Sequence, residues 1–311
     1  MDISNESDLI NQLQEAENYR LNKKKRLRIN LIQFLIVPAT AIPIMVMVQD
    51  DHSDWFYGLF AFIFFNLIFT IIVFFRVHKA YTNYYNKNIQ SKIVSILLPN
   101  TKFITMVKRE VIVDLWHKSQ PFRLKKPEGV IATGVVGKFK DTTFELYDAH
   151  ISKVRKGKRT NLFSGVLMKV KRNKEISTPI YISTKSFPLT DPIENILGSV
   201  GLMSKIEIPP PMVVAGSDAF ISKFDIYCQS QEYANEILTE EITFQIIQMR
   251  TENDHPWFFI SFVKDYVYLI EYNILDLTSI ELSQSVLDKD TISKNFKPIF
   301  DKVEFLTIFN E

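Results

Sequence analysis

The sequence predicts an α+β protein: an N-terminal transmembrane helical hairpin, then a cytoplasmic region of mixed antiparallel sheet and helix arranged as two lobes. Three observations lead there. Two uncharged apolar runs lie close together near the N-terminus, Ile29–Val48 and Phe56–Phe75, each 20 residues long. As helices they measure about 30 Å, the thickness of a bilayer core. Beyond residue 129 the apolar residues recur with a period of two, as half-buried strands require. Finally, residues 101–175 hold 18 Lys or Arg against 7 Asp or Glu, whereas residues 207–311 hold 7 against 18, within a 311-residue chain of net charge +2.

The flanks of the apolar runs set an orientation. Lys23-Lys24-Lys25-Arg26-Leu27-Arg28 precedes the first, and Arg76, His78 and Lys79 follow the second. Between them lies the acidic stretch Gln49–Trp55. Short basic loops stay cytoplasmic, so both termini are expected inside and the acidic turn outside. A pair of buried core helices is the competing reading; length, absent charge and flank signs favour the membrane. Pro38 and Pro43 are expected to kink the first span. Gln33 and Asn66 are the strongly polar side chains well inside the spans, and are read as helix-packing contacts. No Asp, Glu, Lys or Arg lies within either run, which disfavours a transport pathway.

Residues 1–28 read as a short cytoplasmic helix with Leu9, Leu13 and Ala16 on one face, placed to pair with the helix that leaves the second span. That second helix continues through Tyr81, Tyr84, Ile89, Ile93 and Leu97 and stops at Pro99-Asn100. Val107–Trp116 is expected as a helix with Val111 and Leu115 on one face. Gly129–Val136, Thr142–Ile151, Asn161–Lys171 and Pro179–Ser183 are expected as strands, with the turn Arg155-Lys156-Gly157-Lys158-Arg159 joining two of them. Residues 185–217, with Pro209-Pro210-Pro211, read as a linker. After it come a strand Ala219–Cys228, a short helix capped by Ser230, and a longer one capped by Thr239 with Glu240 and Glu241 in its first turn. Ile242, Ile246 and Met249 make that helix's core face. Trp257–Val263 and Tyr266–Tyr272 read as a hairpin about Lys264-Asp265. A last helix has Pro298 near its first turn and Ile299, Val303 and Leu306 as its buried stripe. The expected division is 1–28, a cytoplasmic helix; 29–75, the transmembrane hairpin; 76–206, a basic lobe; and 207–311, an acidic lobe. Opposite fields on two lobes suit mutual attraction or head-to-tail pairing of copies.

Little in the sequence points to catalysis. Ala132–Phe139 mimics a phosphate loop in spacing. Phe139, however, stands where the metal-binding Ser or Thr is needed and a strand follows, so a β-bend of small residues is expected. His52, His78, His117, His150 and His255 form no ligand set, and the single Cys228 sits in an apolar strand pattern as a buried thiol. His150 and Asp148 alternate on one strand face and read as a satisfied pair. Glu240-Glu241 reads as a helix-start charge. No catalytic residue, metal or cofactor is called for. The best site candidate is the basic turn Lys153, Arg155, Lys156, Lys158 and Arg159, suited to an anionic lipid surface. A solvated hairpin tip is the plainer reading. The turn lacks the interleaved aromatics of a nucleic-acid site, so nucleic acid is not an expected partner.

The order of several short segments is similar to a family of uncharacterised bacterial membrane proteins filed as a domain of unknown function and sometimes labelled galanin. The segments are Tyr85-Asn86-Lys87-Asn88-Ile89 with Leu98-Pro99-Asn100; Glu128-Gly129-Val130; Thr160 through Leu167; and Phe224–Cys228 followed by Ala234–Thr239. The resemblance implies a membrane anchor with a cytoplasmic domain and carries over no catalytic residue. Together these readings lead to a multi-pass protein of the bacterial inner (cytoplasmic) membrane. It is expected to act as a non-enzymatic module that binds membrane lipid or a partner protein and is able to homo-oligomerise. A subunit of a larger membrane complex and a membrane-bound enzyme with an unrecognised site are the alternatives.

Overall fold

The computed structural model describes residues 3–47, 54–119, 129–155, 158–185, 212–252, 258–272 and 285–310. The acidic turn at 49–53, the hairpin tip Lys156-Gly157, the Pro-rich passage 186–211 and Trp257 lie outside them. The chain forms two compact units. One comprises residues 1–92 and 279–295, the other residues 93–278 and 296–311.

The first unit is built on two long helices. α1 runs unbroken from Ile3 to Met47, so the expected separate N-terminal helix and first span are one element. It remains helical through Pro38 and Pro43. α2 spans Asp54–Tyr85. A π-helical turn, Asn86–Gln90, then joins it to α3, Ser91–Leu97. The helix ends at Pro99-Asn100 as expected, with Asn100 at φ 68°, a left-handed cap that Asn tolerates. Among the described residues one helical stretch, Ala61–Ser95, is long and apolar enough to cross a membrane, with a mean hydropathy of 2.0. Only 6% of its most apolar window is buried, unlike a core helix. α1 and α2 meet through Leu13, Ala16, Val77, Tyr81 and Tyr85, all buried. Tyr19 stacks on Tyr84 with ring centroids 4.1 Å apart. The expected pairing of the N-terminal helix with the helix leaving the second apolar run is therefore present. Buried between turns of α1, Glu17 pairs with Arg20 (2.5 and 2.9 Å) and accepts the Val286 amide at 3.2 Å.

The second unit is a seven-stranded antiparallel sheet. β1 (Thr101–Ile104) pairs with β2 (Gly129–Phe139), β2 with β3 (Thr142–Arg155), and β3 with β4 (Lys158–Thr184). The expected strands Asn161–Lys171 and Pro179–Ser183 are thus two parts of one 27-residue strand. β5 (Met212–Val213) pairs with β6 (Phe224–Tyr227), and β6 with the far half of β4. β7 (Phe258–Tyr272) runs along β4 through both halves. Strands from both sides of residue 206 therefore share one sheet, and the change of charge there marks no boundary between sheets.

The phosphate-loop mimic lies inside β2 as continuous strand. Its glycines make room for neighbours. A Cβ at Gly134 would press into the Tyr147 ring, and one at Gly137 would lie 2.6 Å from the Thr101 Cα.

Helices cover the two faces. α4 (Arg109–Ser119) buries Ile112, Leu115 and Trp116 against Ala132, Tyr147, Ala149, Phe163, Leu167 and Ile270. Val111, expected on the buried face, is instead exposed, because Ile112 and Trp116 set the phase. α8 (Lys289–Thr307), with the 3₁₀ turn Ile308–Asn310, serves the other face in its part from Phe296 onward. There Ile299 and Val303 are buried as expected, together with Phe296, Phe305 and Phe309, and Phe309 meets Phe262 edge-on at 5.3 Å. Pro298 lies well inside α8, not in its first turn.

Past the linker, Asp218–Ile221 is a short helix, α5, capped by Ser217. The expected strand shrinks to β6, because Ser217 accepts the Phe220 amide and starts a helix first. α6 (Gln231–Ile237) and α7 (Glu240–Glu252) begin where expected. Ser230 accepts from the Tyr233 amide at 3.2 Å and Thr239 from the Ile242 amide at 3.4 Å. Cys228 is a buried free thiol, as expected.

The expected hairpin about Lys264-Asp265 is absent; a bulge in β7 takes its place. Two-residue hairpins of type I′ need positive φ at both central residues. Lys140 and Asp141, with φ of 45° and 67°, satisfy this and join β2 to β3. At the second Lys-Asp pair Lys264 alone is left-handed, at φ 55°, so the strand bends and continues. Lys264→Gly is accordingly expected to stabilise the protein by about 1 kcal/mol by removing left-handed strain, whereas Asp265→Gly destabilises it. Equal stabilisation by both in thermal melts would restore the hairpin.

Burial pushes the Glu17 carboxyl up, but the Arg20, Val286 and Ser285 hydrogen bonds outweigh it and hold it below the ordinary carboxylate value. A depressed folded-state value adds stability above the unfolded value and loses it as pH falls through the folded one. The protection factor of the Val286 amide should therefore stay high at neutral pH and fall on acidification below the ordinary carboxylate range. An unchanged protection factor down to acid unfolding would remove this role.

Candidate functional site

The basic turn forms the end of the β3–β4 hairpin. Lys153 opposes Thr160, Val154 opposes Arg159, and Arg155 opposes Lys158. Lys153, Arg155 and Lys158 therefore hold register positions on one face of the ribbon, while Arg159 holds one on the other. Lys153 is half-buried. Lys156 lies outside the described residues, as do the side chains of Arg155, Lys158 and Arg159. Among the described residues the pairing of β2 ends at Gly129↔Ser152 and that of β7 at Tyr272↔Gly165. Among the described residues the ribbon from Lys153 to Thr160 therefore pairs only within itself. Arg155 and Lys158 face each other directly, and like charges in that position destabilise a strand pair. An anionic partner relieves that cost.

Next to the ribbon, one face of the sheet carries a polar stripe. Thr133 opposes Asp148, Asp148 opposes Val166, Val166 opposes Glu271, and His150 opposes Ser164. Asp148 and His150 share a face of β3 as expected. Ser164 adds a cross-strand partner that the sequence reading missed, its Oγ 2.7 Å from the His150 Nδ1. A Ser–His hydrogen bond is the first contact of a nucleophile and its base. Ser164, however, is 8% exposed in the middle of a ladder, which suits a structural tie better than attack on a substrate.

Further along the stripe, Lys302 of α8 pairs with Glu271, both almost wholly buried. This pair was also missed. Its signal is a charge in phase with buried neighbours, Lys302 beside Ile299 and Val303, and Glu271 beside Leu269. Glu240 and Glu241 occupy the first turn of α7. In the first unit Gln33 is exposed on α1. Asn66 is half-buried on α2, where its carbonyl accepts the Thr70 hydroxyl at 2.9 Å. The two amides belong to a different compact unit from the basic ribbon. Among the described residues no group of three or more His, Cys, Asp or Glu is disposed to hold a metal ion.

Residues 161–310 match the sequence model of a family described as "Protein of unknown function (DUF3137)". The match takes in most of β4, the whole of β5–β7, and all of α8 with its 3₁₀ turn. The family description carries no activity, and no curated protein matches the chain. Among solved structures, the crystal structure of the mycobacterial trehalose monomycolate transport factor A is similar at a TM-score of 0.31 and 9% identity. That likeness covers 66% of this chain and 88% of the other, and at this score it carries no argument about function.

The Glu271–Lys302 pair makes a stability prediction. Lys302→Met leaves a carboxylate buried without its cation and should cost about 3–5 kcal/mol. Replacing Lys302 by Met and Glu271 by Leu together should recover most of that loss in denaturant melts. A single variant as stable as the native protein would mean the carboxylate has another partner.

Proposed function

We propose that this chain is a non-enzymatic, membrane-anchored cytoplasmic module whose basic β-ribbon docks on anionic lipid. Ile29–Val48 and Phe56–Phe75 serve as a two-span anchor in a bacterial inner membrane, with both termini cytoplasmic. The anchor confines the sheet domain to the membrane surface, which raises the effective concentration of its basic ribbon there. The observation that carries this reading is the register of the β3–β4 hairpin end, which sets Arg155 against Lys158 within a run of five basic residues. A solvated tip has no need of that charge opposition. A negatively charged surface turns it into a binding feature, at about 1 kcal/mol for each basic group close to the headgroups.

The test uses the full chain in lipid nanodiscs. Amides of residues 153–160 should exchange more slowly in discs containing phosphatidylglycerol than in phosphatidylcholine discs, and high salt should abolish the difference. Replacing Arg155, Lys156, Lys158 and Arg159 by Ser should remove up to about 4 kcal/mol of surface attraction and equalise the two lipids. Native protein that shows no lipid dependence at physiological salt would end the lipid reading.

A further inference from the structure

β4 and β7 both interrupt their ladder at the same level. Pairing passes from Lys171↔Tyr266 to Ile176↔Lys264, so β4 has extra residues where β7 carries its left-handed Lys264. Such double irregularities re-aim side chains and recur beside functional sites. The first residue of the β4 excursion is Arg172, and it is 8% exposed. Its Nε donates to the Phe309 carbonyl at 2.9 Å, and its guanidinium lies 5.7 Å from the centre of the Phe262 ring. Its Nη1 is buried and, among the described residues, has no hydrogen-bond partner.

Burial holds the guanidinium below its ordinary value, countered only by the Tyr233 hydroxyl. That hydroxyl already accepts the Ser177 amide at 2.9 Å, which leaves its own proton free to donate. The contrast with Lys302, whose buried charge meets Glu271, is chemical. Arg172 has the desolvation cost of a buried ion and, among the described residues, no carboxylate in return.

We propose that Arg172 forms an oxyanion site, in which a phosphate or carboxylate group occupies its unpaired Nη1 edge. Guanidinium favours these ligands because two of its N–H groups match two oxygens. The site is independent of the basic ribbon.

Thermal melts of the full chain in detergent, at constant ionic strength, decide the matter with inorganic phosphate, acetate and chloride as probes. Native protein should melt about 3–5 °C higher in phosphate at roughly ten times its dissociation constant than in chloride. Acetate matching phosphate assigns the site to carboxylates; a response to phosphate alone assigns it to phosphoryl groups. Arg172→Met should lose the response, while the four-serine variant of the ribbon keeps it. If the Met variant fails to fold, Arg172→Lys should show a response weakened about tenfold, because the paired N–H groups are gone. An equal response in native and Arg172 variants, or none in native protein beyond chloride, overturns the proposal.

Discussion

The backbone of β4 is the constraint on which the sheet depends. Each of its edges is taken by partner strands, β3 and then β6 on one side and β7 along the other. A straight 27-residue strand would measure about 90 Å. A domain of about 200 residues has a radius of gyration near 16 Å, so β4 has to bend. Its register shifts at Lys171/Ile176 and Ile176/Ile180 provide the bend, and the left-handed Lys264 lets β7 follow it. With the bend in place, α4 and the second part of α8 close the two faces, and Trp116 and Phe309 reach their aromatic partners Phe163 and Phe262.

Much of this was legible, and the failures share a physical cause. Period-two alternation locates β2, β3, β4 and β7, since each has a buried side. Ser230 and Thr239 locate their helices, because a hydroxyl cap acts within four residues and needs nothing from the rest of the fold. The two Lys-Asp pairs show where local reasoning ends. Lys140-Asp141 and Lys264-Asp265 are the same dipeptide between strand-forming residues, yet one reverses the chain and the other only bends it. What differs is the presence of β4, hundreds of atoms of ladder already holding both halves of β7, and no window around residue 264 contains that information. The single α1 was hidden for the opposite reason. Its basic segment Lys23–Arg28 reads as a boundary, yet a run of charge does not interrupt a helical backbone.

Of the candidate site, the composition of the basic turn was readable and its setting was not. Seven residues with five cations stand out in any reading. That they form the paired end of the β3–β4 hairpin, with Arg155 in register with Lys158, follows from the strand register. Arg172, Glu271 and Lys302 were overlooked because polarity was taken as a sign of the solvent face. Each sits in phase with buried apolar residues, and phase is the better guide when a charge has a partner or a ligand to meet.

The lysines and arginines of the sheet domain meet different environments, and the differences say where function concentrates. Lys169, inside the ladder, is matched on both sides, by the Glu145 carboxylate at 2.8 Å and the Tyr266 ring at 4.4 Å. Lys302 is matched by Glu271. Lys169 and Lys302 are thus both paired within the chain, unlike Arg172. The register at the ribbon end does the reverse, setting Arg155 against Lys158. A sheet that pairs Lys169 and Lys302 internally but sets Arg155 against Lys158 in register carries a cost that binding an external anion would offset.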